Sequence, residues 1–320
     1  MALTIGVDVG GTKIASGIVD EDGEILAQTR RTTPTRDASA ASSVVVDSIL
    51  ELLALGAQRG LRAIEAVGIG AAGFVDDTRS TVAFAANLGW VNEPLAQKVS
   101  AAVNLPVVVE NDANAAAWAE YRFGAGRSHL SVVCVTVGTG IGGGIVLDGG
   151  LVRGRYGMAA EFGHIRLVPE GRPCGCGRRG CWEQYASGNA LVREARELAA
   201  ERRPDATLLL SYGDGTPEGV VGPHITAAAQ AGDPVAVEAF VRVGSWLGRG
   251  MAELAAVLDP SGFVIGGGVI DAGELLLGPA RSVFAADLVG AGHRPTPAIV
   301  PAELGNGAGI AGAADLSRLR

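Results

Sequence analysis

The chain has 320 residues, 48% of them hydrophobic and 19% charged, enough for two domains of ordinary size with real cores. A formal net charge of -8 and an isoelectric point near 5.1 argue against a general affinity for nucleic acid or anionic membrane and point to small-molecule partners. From Met1 to Asp8 no basic stretch leads into a long apolar one, so the expectation is a soluble, cytoplasmic protein without a secretory signal.

In chain order, an apolar strand over 3–9 turns at Gly10 and Gly11. It resumes as a strand through Ile14, Ile18 and Val19, then reaches a second turn at Glu21-Asp22-Gly23. Val44, Val45, Ile49, Leu52 and Leu53 keep helical spacing over 39–59, with Gly60 as the stop. Strands over 66–70 and 106–110 follow, then an alanine-rich helix over 111–121. Asn111 and Asp112 thus stand where a strand becomes a helix. Ligands of open α/β sheets bind at such carboxyl ends, but Asn and Asp are also good helix caps, and spacing alone leaves both roles open.

Residues 130–147 form an uncharged run long enough to suggest a membrane span, yet five of them are glycine, and two strands joined by a glycine turn fit better. At an offset of 127 residues, Gly11 to Val19 overlays Gly138 to Val146 with six of nine identities. Each half therefore opens with the same hairpin, and its second copy ends at Asp148-Gly149-Gly150. Glycine turns let backbone N–H groups approach a phosphate, and Thr12 and Thr139 add hydroxyl donors. Because a strand rather than a helix follows each turn, a P-loop or dinucleotide-binding site is disfavoured.

Next come Glu161, His164, Cys174, Cys176, Cys181 and Glu183. One His and three Cys at this spacing can close a tetrahedral, structural Zn²⁺ shell, which would pin Glu161, His164 and Glu183 into one pocket wall rather than activate water. The competing reading is a glycine-rich loop with incidental cysteines, against which stands the clustering of three of the four Cys within eight residues. Cys134, in an apolar run, reads as core. Beyond lie a helix over 190–202 capped by Ser187 or Asn189, a surface loop over 203–222, and a long helix over 234–258 ended by Asp259-Pro260. A strand over 262–265 then enters Gly266-Gly267-Gly268, which suits either close ligand approach or a tight turn. A small-residue helix over 307–316 closes the chain.

Together, Asp8-x-Gly10-Gly11-Thr12-Lys13, Glu110-Asn111-Asp112-Ala113-Asn114, Gly138-Thr139-Gly140, Glu161-x-Gly163-His164 and the Cys174, Cys176, Cys181, Glu183 element resemble the ROK family of sugar kinases and repressors over essentially the whole chain. The resemblance implies the actin-like ATPase fold (the α/β class of hexokinase, Hsp70 and actin), with two related domains around a cleft. The smaller would be 1–110 plus about 303–320, and the larger 111–302 with the zinc loop 164–181. It implies transfer of the γ-phosphate of ATP, with Mg²⁺, to the 6-hydroxyl of D-glucose. By the same resemblance Asp112 is the general base, Asn111, Glu161, His164 and Glu183 contact the sugar, and His164 with the three cysteines holds Zn²⁺. Asp8 would act near Mg²⁺, Thr12, Gly138 and Thr139 would hold the β- and γ-phosphates, and Gly266, Gly267 and Gly268 would border the adenosine. Lys13 matches a motif position without an assigned role. A homodimer or homotetramer is expected. Other hexoses (mannose, fructose, N-acetylmannosamine) are the alternative substrates. A sugar-responsive repressor is the alternative function, though repressors carry a DNA-reading domain ahead of the first strand, which here begins at residue 3.

Overall fold

The computed structural model describes residues 3–34 and 37–319. These fall into two compact units, Met1–Cys134 with Gly143–Ala160 and Ala302–Arg320, and Val135–Gly142 with Glu161–Pro301.

In the first unit, β1 (Leu3–Val9), β2 (Lys13–Val19) and β3 (Ile25–Thr32) form an antiparallel meander, and α1 (Ala38–Gln58) leads to β4 (Ile64–Ala71). Short strands β5 (Phe74–Val75), β6 (Val82–Ala85) and β7 (Trp90–Glu93) make a small antiparallel sheet before α2 (Leu95–Val103), β8 (Val107–Asn111) and α3 (Asp112–Arg122). The main sheet has the order β3-β2-β1-β4-β8, with β1, β4 and β8 parallel. Its register aligns Asp8 with Gly70 and Gly70 with Glu110. Although α1 is long and apolar enough to cross a membrane by composition, Val45, Ile49 and Leu52 bury its apolar face in the same core as Ile5, Val7 and Ile18.

The next strands are β9 (Val132–Val137), β10 (Ile141–Leu147) and β11 (Gly150–Leu151). After them come α4 (Glu183–Ala186), α5 (Gly188–Glu201), α6 (Thr207–Tyr212), α7 (Gly222–Gln230), α8 (Pro234–Leu258), β12 (Gly262–Gly266), α9 (Glu274–Asp287), β13 (Ala298–Pro301) and α10 (Ala308–Leu316). The second sheet has the order β11-β10-β9-β12-β13, the same pattern as the first, so the repeated hairpin is the visible part of a repeated sheet. Helix α10 packs on β1, β4 and α3 within the first unit. This contact needs glycine, because a Cβ on Gly68 would collide with the Ala313 carbonyl and one on Gly312 with that of Ala115. The small residues of the last helix are thus the condition for its close packing.

Two expectations are revised. The first unit takes in 111–134 and 143–160, because α3 packs on α10 and β4, and Arg153 pairs with the buried Glu110. The segment 203–222 is not all loop: a 3₁₀ turn (Arg203–Ala206) runs into α6, where Ala206, Leu209 and Leu210 are buried. The buried Asp233 carboxylate accepts from the Leu209 N–H (2.9 Å) while also capping α8 through the Val235 and Ala236 N–H groups.

Candidate functional site

In the first unit the polar residues gather at the carboxyl ends of parallel strands, where neighbouring peptide planes leave room for ligands. Asp8 is the penultimate residue of β1, and the β8–α3 junction carries Asn111 and Asp112. Gly70, in the row between them, has no Cβ to press on Ala115 and the Asp112 backbone. Asn111 does cap α3, its Oδ1 accepting from the Asn114 N–H (3.0 Å), while its Nδ2 donates to the Gly73 carbonyl and to Asp112 Oδ1 (both 3.2 Å). Asp112 Oδ1 also accepts from the Ala113 N–H (2.9 Å). Burial pushes the Asp112 carboxyl above the usual carboxylate range. Asp8 is raised from 3.8 to about 6, first by burial and then by the charge of Asp112, with Lys13 partly offsetting both. The Lys13 ammonium donates to Asn306 Oδ1 (3.1 Å). The turn from Gly10 to Lys13 closes through the Gly10 N–H to the Lys13 carbonyl (3.0 Å), and Thr33 Oγ1 donates to the Gly10 carbonyl (2.8 Å).

In the second unit, Gly138, Thr139 and Gly140 join β9 to β10. The Gly188 N–H donates to the Gly138 carbonyl (2.7 Å), which brings the N-terminus of α5 to this turn. A groove of about 690 Å³ opens there, lined by Gly138, Thr139, Asn189, Thr226, Gln230 and Gly268 among others. Of the three consecutive glycines, Gly268 alone lines it. Gly266 is the last residue of β12, and Gly267 (φ 89°) passes so close to Val137 that a Cβ would collide with its carbonyl. The groove walls from α5 and α7 carry no motif and were not legible in the sequence.

His164, Cys174, Cys176 and Cys181 also meet in this unit, their ligand atoms all within 4.8 Å of one another. His164 Nδ1 lies 3.6 Å from Cys174 Sγ, and Cys176 Sγ 3.6 Å from Cys181 Sγ. A tetrahedral Zn²⁺ with sulfur and nitrogen ligands sets such atoms roughly 3.5–3.8 Å apart, so the donor set fits the ion. The Cys174 N–H donates to the Arg178 carbonyl (2.8 Å) in a tight knuckle, and Gly180 (φ 77°) lets the chain pass the Val168 carbonyl. Glu161 immediately precedes the 3₁₀ turn Phe162–His164. Glu183, first residue of α4, accepts from Cys174 Sγ at 3.0 Å through Oε1, while its Oε2 lies 2.5 Å from where a Cβ on Gly140 would stand. One carboxylate therefore spans from the cysteine cluster to the glycine turn. Trp182 Nε1 donates to the Trp246 carbonyl (2.8 Å), and the buried indole fixes this segment on α8.

Known proteins of similar sequence and structure identify the family. The model of the ROK family matches residues 4–319. The glucokinase of Streptomyces coelicolor is 54% identical over 318 residues, covering 99% of this chain and 98% of that protein. Among solved structures, a ROK family glucokinase from Streptomyces griseus in complex with glucose and AMPPNP superposes with a TM-score of 0.86 at 55% identity, with both chains fully covered. The ROK hexokinase of Thermus thermophilus gives 0.80 at 33% identity over 99% and 98% of the two chains. The sheet order, the repeated hairpin and the full-length match agree on one actin-like ATPase fold, and the chain belongs to the ROK family.

Proposed function

We propose that this protein is an ATP-dependent glucokinase that transfers the γ-phosphate of Mg-ATP to the 6-hydroxyl of D-glucose. The observation that carries the reading is Asp112: one oxygen is fixed by the Ala113 N–H and the Asn111 amide, and burial holds the carboxyl above its usual range. A base whose pKa is raised takes a proton more effectively than an ordinary carboxylate. As the 6-oxygen bonds to the γ-phosphorus, the bond from that phosphorus to the β-bridging oxygen breaks, ADP leaves, and Asp112 receives the hydroxyl proton. Most of the acceleration comes from positioning and charge stabilisation, so the base orients the hydroxyl as much as it deprotonates it.

Asn111, Glu161, His164 and Glu183 are assigned to the sugar hydroxyls. Asp8 is assigned to the Mg²⁺ side, with the cation supplying charge neutralisation of the phosphates when bound. Gly10, Gly11 and Thr12, with Gly138 and Thr139, are assigned to the phosphates. The groove that includes Gly268, flanked by Gly266 and Gly267, is assigned to the adenosine, and Lys13 stands beside Asp8 as a nearby positive charge. His164, Cys174, Cys176 and Cys181 would hold Zn²⁺ as a structural ion. His164 would use Nδ1, the nitrogen on the cysteine side, and Glu183 would stand beside that cluster, its Oε1 3.6 Å from His164 Nδ1. We place the protein in the cytoplasm as a homodimer or homotetramer, which light scattering would check.

The test is ADP release by purified protein with Mg-ATP across glucose, mannose, fructose and N-acetylmannosamine. Preference for glucose is expected. Preference for another hexose would keep the mechanism and replace the substrate, and no turnover of any sugar would remove the kinase assignment.

A further inference from the structure

Glu110 lies just before the Asn111-Asp112 pair, and its side chain is only 4% exposed. Its Oε1 accepts from the Asn111 backbone N–H (3.0 Å) and from Asn114 Nδ2 (3.1 Å). Its Oε2 pairs with Arg153 Nε (2.5 Å) and faces Arg79 Nε at 3.8 Å. Arg79 is itself tied in, donating from Nη2 to the Leu316 carbonyl (3.0 Å) and accepting from the Val109 N–H through its own carbonyl (2.8 Å). Asn114 is 1% exposed and gives its backbone N–H to Asn111 Oδ1. A closed circuit thus runs from Glu110 to Asn111 and Asn114, and from the Asn111 amide to Asp112 Oδ1.

We infer that Glu110 is a positioning residue of the phosphoryl transfer, setting the orientation of Asp112 through Asn111 and Asn114. The inference rests on Asp112 being the base. All four groups facing Glu110 are N–H donors, and a carboxylate, which only accepts, suits them all. A glutamine of the same shape has one acceptor oxygen and one NH₂, so on one side donor meets donor. The bond lost would be either the one to Arg153 or the pair holding the start of α3. Misplacement of a reacting group by a fraction of an ångström to an ångström costs up to about 10²-fold in rate, without touching groups that bind the second substrate.

The experiment measures kcat, KM for ATP and melting temperature for wild type, Glu110→Gln, the double variant Glu110→Gln with Arg153→Met, and Asn114→Ala. Glu110→Gln is expected to lower kcat roughly 30- to 100-fold with KM for ATP within about threefold. The double variant should recover at least about tenfold of that loss, because without Arg153 the amide can turn its oxygen to Asn111 and Asn114. Asn114→Ala cuts the circuit and leaves the ion pair in place, so it covers the case in which the charge variant does not fold, and kcat should fall about tenfold. A wild-type kcat per folded molecule in Glu110→Gln or in Asn114→Ala, with only the melting temperature lowered, would reduce Glu110 to a structural anchor. Loss in Glu110→Gln without recovery in the double variant would also overturn the route through Asn111 and Asn114. An inactive wild type would remove the kinase reading and this inference with it.

Discussion

The two glycine hairpins share six of nine residues and occupy the same place in sheets of the same strand order, yet their surroundings differ in kind. The first stands in a row of strand ends that carries Asp8, Glu110, Asn111 and Asp112, where burial holds both Asp8 and Asp112 above their ordinary range and the charge of Asp112 raises Asp8 further. At the position of Asp8 the second hairpin has the buried Val135, and beside it lie glycines, the N-terminus of α5 and an open groove. The duplicated hairpin supplies a turn whose backbone can be approached, and the neighbouring strands decide whether charge is added. Concentrated negative charge costs folding stability, so it is an arrangement that function must justify.

This contrast can be broken by substitution, with the largest effect expected on the charged side. Asp112→Asn should lower kcat by about 10³-fold or more while glucose still binds and the fold persists, since a general base contributes about 10²–10⁴-fold and orientation is lost with it. Activity within tenfold of wild type in a stopped assay, with a native circular dichroism spectrum, would end the base assignment. In the other unit, elemental analysis should find one Zn²⁺ per chain. Cys176→Ala should raise KM for glucose by roughly 10- to 100-fold while KM for ATP changes much less, because Glu183 and His164 touch the cysteine cluster. Equal weakening of both substrates would detach the cluster from the sugar.

Asp8→Asn sharpens the comparison in a different currency. The folded carboxyl, raised from 3.8 to about 6, keeps a proton that the unfolded chain has released, so stability falls as pH rises across that window and stays lowered above it. The variant lacks this penalty. In Mg²⁺-free buffer it should be more stable than wild type by up to about 3 kcal/mol above pH 6 and equal to it below about 3.8, while losing turnover. Melting curves across pH check the sign, and a destabilised variant at neutral pH would refute it. The smallest effect belongs to the uncharged turn: Thr139→Val should raise KM for ATP only about threefold to tenfold, because backbone N–H groups remain in place. A loss as large as that of Asp112→Asn would show that the two turns are not unequal in the way described.

Several features were legible because their signal is local. The strand-to-helix junction at Asn111 and Asp112, the glycine turns followed by strands and the cysteine spacing each depend on residues close in sequence, and the structure brings each together as spaced. The strands β5, β6 and β7, of two to four residues, are too short to show alternation, and α6 is held by Asp233, more than twenty residues away. In the sequence Glu110 is one position of a motif and nothing more, since a glutamate at a strand end looks like any exposed carboxylate until Arg79 and Arg153 are folded against it. Likewise, the three glycines from Gly266 to Gly268 look equivalent in sequence but hold three different positions.

What the sequence by itself determined is the set of short-range devices: glycine turns followed by strands, Asn111 and Asp112 at the passage from a strand to a helix, which four side chains share one metal-sized cluster, and that the chain opens each half with one hairpin. Only the tertiary structure decided that burial raises Asp8 and Asp112 and that the charge of Asp112 raises Asp8 further, that Glu110 is sealed between two arginines, and that α5 and α7 wall a groove at Gly138. The physical reason is range: hydrogen bonds of caps and turns close within a few residues, whereas desolvation, charge proximity and cavity shape belong to groups that meet only when distant strands are laid side by side.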